Sequence, residues 1–377
     1  VSTWGKIVGS ASIATGVIGA AALGGVTAQR RAVRKYRSSA GVDVEQQGYD
    51  TLAAERTYSV LADDGVVLHV EEVGPEDAPL TVIFGHGWTL RCGAWHFQRI
   101  GLAGRGFGGA GQESAARLVF FDQRSHGKSS RAANDHAAMA DLAGDLAAVM
   151  ATAAPAGPVV LIGHSMGGMA LITLAGVRPE LFAGRVAGVG LISTSATEGG
   201  RSAKVVMSLL SSNSGVLKFA SLAASRYPGI IEWGRGSSRD AVWLLTRALG
   251  FASKDVPGEM VDYLDEMISA TPVSVMADFA PALIGLDQLA ALPALAAIPV
   301  AIVCGDKDLQ TPLARSMVIA QALPEAVLTV IAGAGHMAIM ESPVQVNDAL
   351  RVLLGSALTF ANAPTDSPTN SLSKDPG

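Results

Sequence analysis

Three side chains able to share one proton lie in order along this chain, each where an apolar run breaks into a glycine-bearing turn. The first is Ser165, in Gly163-His164-Ser165-Met166-Gly167, with PVVLI running in and GMALITLAGV running out. A strand that turns sharply into a helix crowds the residue at the corner, so glycines on both sides are needed for backbone clearance. The corner pushes the hydroxyl outward beside a helix N-terminus, which favours developing negative charge. A serine hydroxyl attacks poorly until a base takes its proton. Of the seven histidines (His69, His86, His96, His126, His136, His164 and His336), only His336 follows Ser165, and in the fold class that carries such a turn the chain order is nucleophile, acid, base. It sits after VIAGAG, a strand ending in a glycine-flanked loop that suits a mobile base. The acid must lie between them at a strand end, and PVAIVCGDKD offers Asp306 and Asp308. Its work is to hold the imidazole tautomer and stabilise the imidazolium. Attack on a carbonyl also needs donors for the oxyanion. The apolar run LTVIF leads into Gly85-His86-Gly87-Trp88, and the loop after such a strand supplies one donor, the residue after the nucleophile the other. The backbone N–H groups of Trp88 and Met166 are the candidate pair, with His86 read as structural.

Strands ending on one side must carry these groups. Eight short runs fit: TYSVLA, VVLHVEEV, LTVIFGHG, RLVFFDQR, PVVLIGHS, VAGVGLIST, PVAIVCGD and AVLTVIAG. Several are nearly all apolar, as in strands covered on both faces, and helical stretches such as MADLAGDLAAVMATA lie between them. Strands alternating with helices predict an α/β fold with a mostly parallel sheet. The alternation stops after Ser195 and resumes near Pro299. Residues 56–195 and 284–357 are therefore expected to form the core, and 196–283 an inserted helical cap, too long for a plain loop. Residues 38–55 read as a linker, and 358–377, polar and Pro/Ser-rich, as a disordered tail.

Residues 1–37 stand apart. From Ile7 to Ala28 there are 22 residues without a charge, long enough to span a bilayer as a helix and rich in small residues that pack closely in lipid. Lys6 precedes the run, whereas Arg30, Arg31, Arg34, Lys35 and Arg37 follow it. Basic residues are retained in the cytoplasm, so an anchor with a cytoplasmic catalytic domain is expected. Val26-Thr27-Ala28 resembles a cleavage site, which makes export after cleavage near Ala28 the alternative; a buried or peripheral helix is a third reading. A net charge of −5 over 377 residues supplies no basic field for nucleic acid. Two cysteines, Cys92 and Cys304, make no disulfide framework or metal-ligand pattern. Cys304 reads as core and Cys92 as a candidate pocket-lining residue. The glycine-dense Gly104–Gly109 follows no strand and reads as a flexible insertion. Met139, Met150, Met260 and Met276 read as packing, and Trp233 and Trp243 as packing or substrate contacts.

HGW, FDQRSHGKSS, GHSMGG, GDKDLQTP and AGAGH stand in the order found in the α/β-hydrolase superfamily, which the chain resembles over roughly residues 56–357. The resemblance implies an eight-stranded, mostly parallel sheet with helices on both faces and a helical cap, and neither metal nor organic cofactor. The family's acid, three residues after the glycine of G-x-x-D, maps onto Asp308, giving Ser165, Asp308 and His336 as the triad. FDQRSHGKSS resembles the family's D-x-R-G-x-G-x-S turn but departs from its glycine register at Ser125-His126-Gly127. A nucleophilic serine separates the chain from epoxide hydrolases and haloalkane dehalogenases, and GHSMGG looks like esterases and monoacylglycerol-type lipases. The expected function is hydrolysis of a small carboxylic ester with an apolar part. Thioesterase, C–C hydrolase or cofactor-free perhydrolase chemistry on the same triad is the alternative. A non-catalytic ligand-binding protein would need no intact triad.

Overall fold

All eight expected runs are strands of one sheet: β1 (Arg56–Leu61), β2 (Val67–Val73), β3 (Leu80–Gly85), β4 (Ala116–Phe121), β5 (Val159–His164), β6 (Val186–Ile192), β7 (Val300–Gly305) and β8 (Val327–Ile331). The computed structural model describes residues 53–103, 116–133, 136–197, 240 and 242–363, together with Arg31, Val33, Arg34, Gly48 and Tyr49. The strand order is β1-β2-β4-β3-β5-β6-β7-β8. Only β2 runs against the others, pairing antiparallel with β1 and β4. The carboxyl ends of β3 to β7 consequently point the same way.

Burial explains the sequence pattern. Strands β3, β5, β6 and β7 are buried at every residue, because helices cover both faces and neither face can be polar. On β3, Val82 and Phe84 face one apolar layer with Leu350, Leu353 and Leu354. Ile83 faces the other, with Leu146, Val149, Leu171 and Leu174. The first layer is covered by α1 (His96–Leu102) and the second by α2 (Met139–Ala153), α3 (Met166–Val177) and the short α4 (Pro179–Gly184).

Between β6 and β7 the described chain is helical: residues 242–250 (α5), α6 (Gly258–Ala270) and α7 (Val273–Ile284). A single bridge, Thr197 to Asp287, closes the neck of this insertion. Most of the expected cap N-terminal to Asp240, Trp233 included, lies outside the described residues. Trp243 is internal to the cap, buried and donating its indole N–H to Asp262 at 2.6 Å. After β7 come α8 (Leu313–Ala322), the four-residue α9 (Ala338–Glu341) and α10 (Pro343–Ala361). Helix α10 runs past the expected edge of the tail at residue 358, since Leu358 still packs on the core; residues 364–377 lie outside the described ones.

Part of the expected linker, Gly48, Tyr49 and residues 53–55, is among the described residues. Tyr49 stacks on Tyr263 of α6 at 4.9 Å and meets His96 and Phe97 of α1. An aromatic ring exposed beside such a nest gains by burial. The expected membrane helix lies outside the described residues, as do its basic flank apart from Arg31, Val33 and Arg34, and Gly104–Gly109. Among the described residues no single helix is long and apolar enough to cross a membrane. Both cysteines are buried, Cys304 completely.

Candidate active site

At the end of β5 the chain reverses on Ser165, whose φ of 50° and ψ of −116° are unusual for a residue with a side chain. Such a conformation persists only when its surroundings over-determine it. Here a Cβ on Gly163 would lie 2.4 Å from the Gly168 nitrogen, and one on Gly167 would lie 2.1 Å from the Gly85 carbonyl oxygen. The turn therefore closes only with glycine at both positions. The Ser165 N–H donates to Ile192 at 3.0 Å, and its carbonyl accepts from Gly168, Met169 and the Thr194 hydroxyl. The backbone is pinned on both sides while the hydroxyl points away from it.

That hydroxyl lies 3.1 Å from His336 Nε2, and His336 Nδ1 lies 2.9 Å from Asp308 Oδ2. The three residues are thus brought together in one hydrogen-bonded line from three strand ends. Asp308 is buried, which opposes ionisation, yet the charge and hydrogen bond of His336 and the bonds from Thr311 outweigh burial and lower its pKa. The Thr311 hydroxyl donates to Oδ2 at 2.8 Å, and the N–H groups of Gln310 and Thr311 donate to Oδ1 at 2.8 and 2.9 Å. With an ionised carboxylate at Nδ1, the imidazole proton stays there and Nε2 is left as an acceptor. Asp306, two residues earlier, does other work. It accepts from the Gly333 N–H at 2.7 Å and pairs with Lys307 at 3.3 Å, securing the turn that leads to His336.

Met166 is the first residue of α3 and Trp88 follows the β3 strand end. The contact between Gly167 and Gly85 brings their two loops together. Among the described residues neither backbone N–H has a hydrogen-bond acceptor. Thr89, next to Trp88, holds a φ of 64°. His86 stands apart from the serine: its Nε2 accepts from the Gln123 N–H at 2.9 Å and its Nδ1 donates to Gly87 at 2.8 Å. The ring ties the β3 loop to the β4 loop, as a structural histidine would. Ser125 takes the left-handed conformation, φ 65°, where the family's turn carries glycine, and its Oγ accepts from the Ala132 N–H at 3.0 Å.

Two parts of the site carried no sequence signal. His164, buried under the elbow, donates from Nε2 to the His336 carbonyl at 3.1 Å. Burial first, and then the neighbouring His336, push its pKa down to about 3. Thr311 lies within the GDKDLQTP motif, but its role as a third donor to Asp308 shows only in the folded chain.

A pinned serine corner facing a histidine and an aspartate, at the carboxyl end of this strand order, defines an α/β-hydrolase. The profile of the alpha/beta hydrolase family matches residues 82–349, and the chain belongs to that family. Among solved structures, an esterase from Thermogutta terrifontis is 24% identical with a TM-score of 0.61, covering 80% of this chain and 99% of its own. The esterase RhEst1 from Rhodococcus sp. ECU1013 is 20% identical with a TM-score of 0.61, over 80% and 99% of the two chains. A bromoperoxidase from Bacillus anthracis is 18% identical, also at 0.61, over 79% and 99%. No curated protein matches the chain.

Proposed function

We propose that the chain is a serine hydrolase that cleaves carboxylic esters through an acyl-enzyme on Ser165. The observation that carries this reading is His336, placed 3.1 Å from the serine oxygen and 2.9 Å from Asp308. Ser165 Oγ attacks the acyl carbon while His336 Nε2 takes its proton. The tetrahedral oxyanion meets the N–H groups of Trp88 and Met166. The imidazolium returns its proton to the leaving alkoxide, and the C–O bond breaks. Water then gives a proton to the same nitrogen and attacks the acyl carbon; the bond to Ser165 Oγ breaks, the imidazolium returns its proton to that oxygen, and the acid leaves.

An apolar substrate part is supported by the buried cluster beside the elbow, in which Met166 and Met169 group with Val275, Phe279 and Leu286, and against which the half-buried Trp88 packs. Labelling by a fluorophosphonate probe, with p-nitrophenyl ester turnover alongside, tests the reading. Wild type should be labelled and active. Ser165→Ala should be folded, unlabelled and slower by several orders of magnitude; substantial turnover by the purified variant would overturn the assignment. The uncharged run of residues 7–28 supports a membrane-anchored enzyme with its hydrolase domain on the cytoplasmic side. Cell fractionation with protease accessibility checks this, and a soluble protein beginning at Gln29 outside the cell would refute it.

A further inference from the structure

The turn between α5 and α6 of the cap is tied to the loop of His336 through one carboxylate. Glu341, five residues after His336, ends α9. Its Oε2 accepts from the Gly335 N–H at 2.6 Å. Its Oε1 accepts from the N–H groups of Ala252 and Ser253, at 2.9 and 2.5 Å, in the turn that follows α5. Three backbone donors on one carboxylate are charge-assisted and stronger than neutral hydrogen bonds. The same turn is tied again by the Met337 N–H, which donates to Gly250 at 2.8 Å. On the cap side, Arg247 donates to the carbonyls of Phe251 and Ser253. Packing here is at backbone contact: a Cβ on Gly335 would lie 2.8 Å from the Ala252 nitrogen.

The backbone around His336 therefore has three anchors. His164 holds its carbonyl, Glu341 holds the residue before it, and Gly250 holds the residue after it. Two of the three run to the cap. Proton transfer needs heavy atoms within about 2.6–3.2 Å, and the serine–histidine contact of 3.1 Å is near the upper edge. A shift of a few tenths of an ångström in this loop would take the base out of reach.

We infer that Glu341 is a positioning residue, clamping the cap's α5–α6 turn to the His336 loop so that the seat of the imidazole depends on where the cap sits. The inference rests on His336 acting as the base for Ser165. Glu341→Gln in the full-length chain keeps the shape but replaces one acceptor oxygen with an amide that cannot accept. On a short ester, kcat should fall by about tenfold to a hundredfold while KM stays within about twofold, as expected for a misplaced reacting group. The downfield proton resonance of His336 Nδ1–H, bonded to Asp308, should move or broaden. Arg247→Gln loosens the turn from the cap side and should act in the same direction, more weakly. It also serves as the test if Glu341→Gln does not fold. A folded Glu341→Gln with kcat within about twofold of wild type and an unmoved resonance would reduce Glu341 to scaffold. So would an unfolded Glu341→Gln accompanied by an Arg247→Gln whose kcat and resonance are unchanged. If wild type takes neither ester nor phosphonate, the ester-hydrolase reading fails by itself, and the resonance, which needs no substrate, still decides the positioning role.

Discussion

Charge is buried both at the turn after β4 and around the end of β5, at the carboxyl end of the sheet. After β4, Arg124 meets Asp145 through two bonds of 2.7 Å and Asp64 through another of 2.7 Å. The Arg124 and Asp145 side chains are 3% and 0% exposed, so this pair is shut off from solvent. Around β5, Asp308 is equally enclosed, but its line of bonds runs through His336 to the half-buried Ser165. In the first cluster every strong donor ends on a carboxylate, and the product is a fixed turn. In the second, the last member is a hydroxyl with little to hold its proton but a neutral imidazole nitrogen. On the proposed reading, buried charge becomes reactive where the line of partners stops one group short of closure.

The open line makes the largest prediction. Asp308→Asn should leave the fold intact and lower kcat by about four orders of magnitude, because His336 loses the tautomer it needs. Asp306→Asn should cost far less, since its carboxylate caps Gly333 and does not meet the imidazole. Steady-state kinetics on the two variants decides it; the reverse ranking would mean the wrong aspartate has been assigned.

The closed cluster should behave the other way. Asp145→Ala removes a bidentate partner and leaves Arg124 buried with the more exposed Asp64, the His136 carbonyl at 3.3 Å and Asp141 at 4.0 Å. Breaking a buried pair in this way costs about 3–5 kcal/mol, read as a lower urea midpoint, with little change in kcat per folded molecule. A variant of undiminished stability that has lost its activity would erase the distinction between the two regions.

A smaller effect comes from histidines near both regions. His126, packed between the β4 turn and Phe279, and His164 are each held down to about 3, first by burial and then by a neighbouring histidine. In the unfolded chain they titrate near 6.5. Between those values the unfolded state binds more protons, so stability falls as pH falls. Each such histidine contributes of order 2 kcal/mol between pH 6.5 and 5. Asp308 acts lower: its depressed folded pKa gives stability that is present above the ordinary carboxylate value and lost as pH drops through the folded one. The urea midpoint at pH 5 should therefore lie below that at pH 7, and His126→Gln should narrow the gap. An unchanged gap would show that His126 is not the group taking up the proton.

How far all this could be read beforehand depended on the range of the forces involved. The strands showed in the sequence because full burial leaves no place for polar residues, as in VVLIGH of β5. Ser165 and His336 showed because an elbow needs its glycines locally and only one histidine follows. Asp306 and Asp308 look alike in isolation. What separates them is Thr311 turning back on Asp308 and Gly333 on Asp306, and the latter pairing exists only after β8 has returned alongside β7. Glu341 was invisible for the same reason: its partners Ala252 and Ser253 lie 89 and 88 residues away. Ser125 was legible only as a departure, because a serine gives no sign that it will accept the backbone angle usually left to glycine.

The smallest prediction concerns what the open line can select. Charge does not distinguish an acetyl from a hexanoyl ester, so any preference must come from apolar contact. Val275 and Phe279 of α7, with Leu286, share one buried apolar cluster with Met166 and Met169, in the first turn of the helix that follows Ser165. An acyl chain leaving the serine carbonyl toward these side chains exchanges water for hydrocarbon. Each buried CH₂ contributes up to about 0.8 kcal/mol, roughly fourfold in kcat/KM. The series from acetyl to hexanoyl should therefore rise stepwise, and Phe279→Ala should flatten it without lowering turnover of the acetyl ester. The two regions would then differ in a second respect, since an apolar cluster stands beside the open line. A series that is flat in wild type would remove the apolar acyl site and leave the assignment of Ser165, Asp308 and His336 standing.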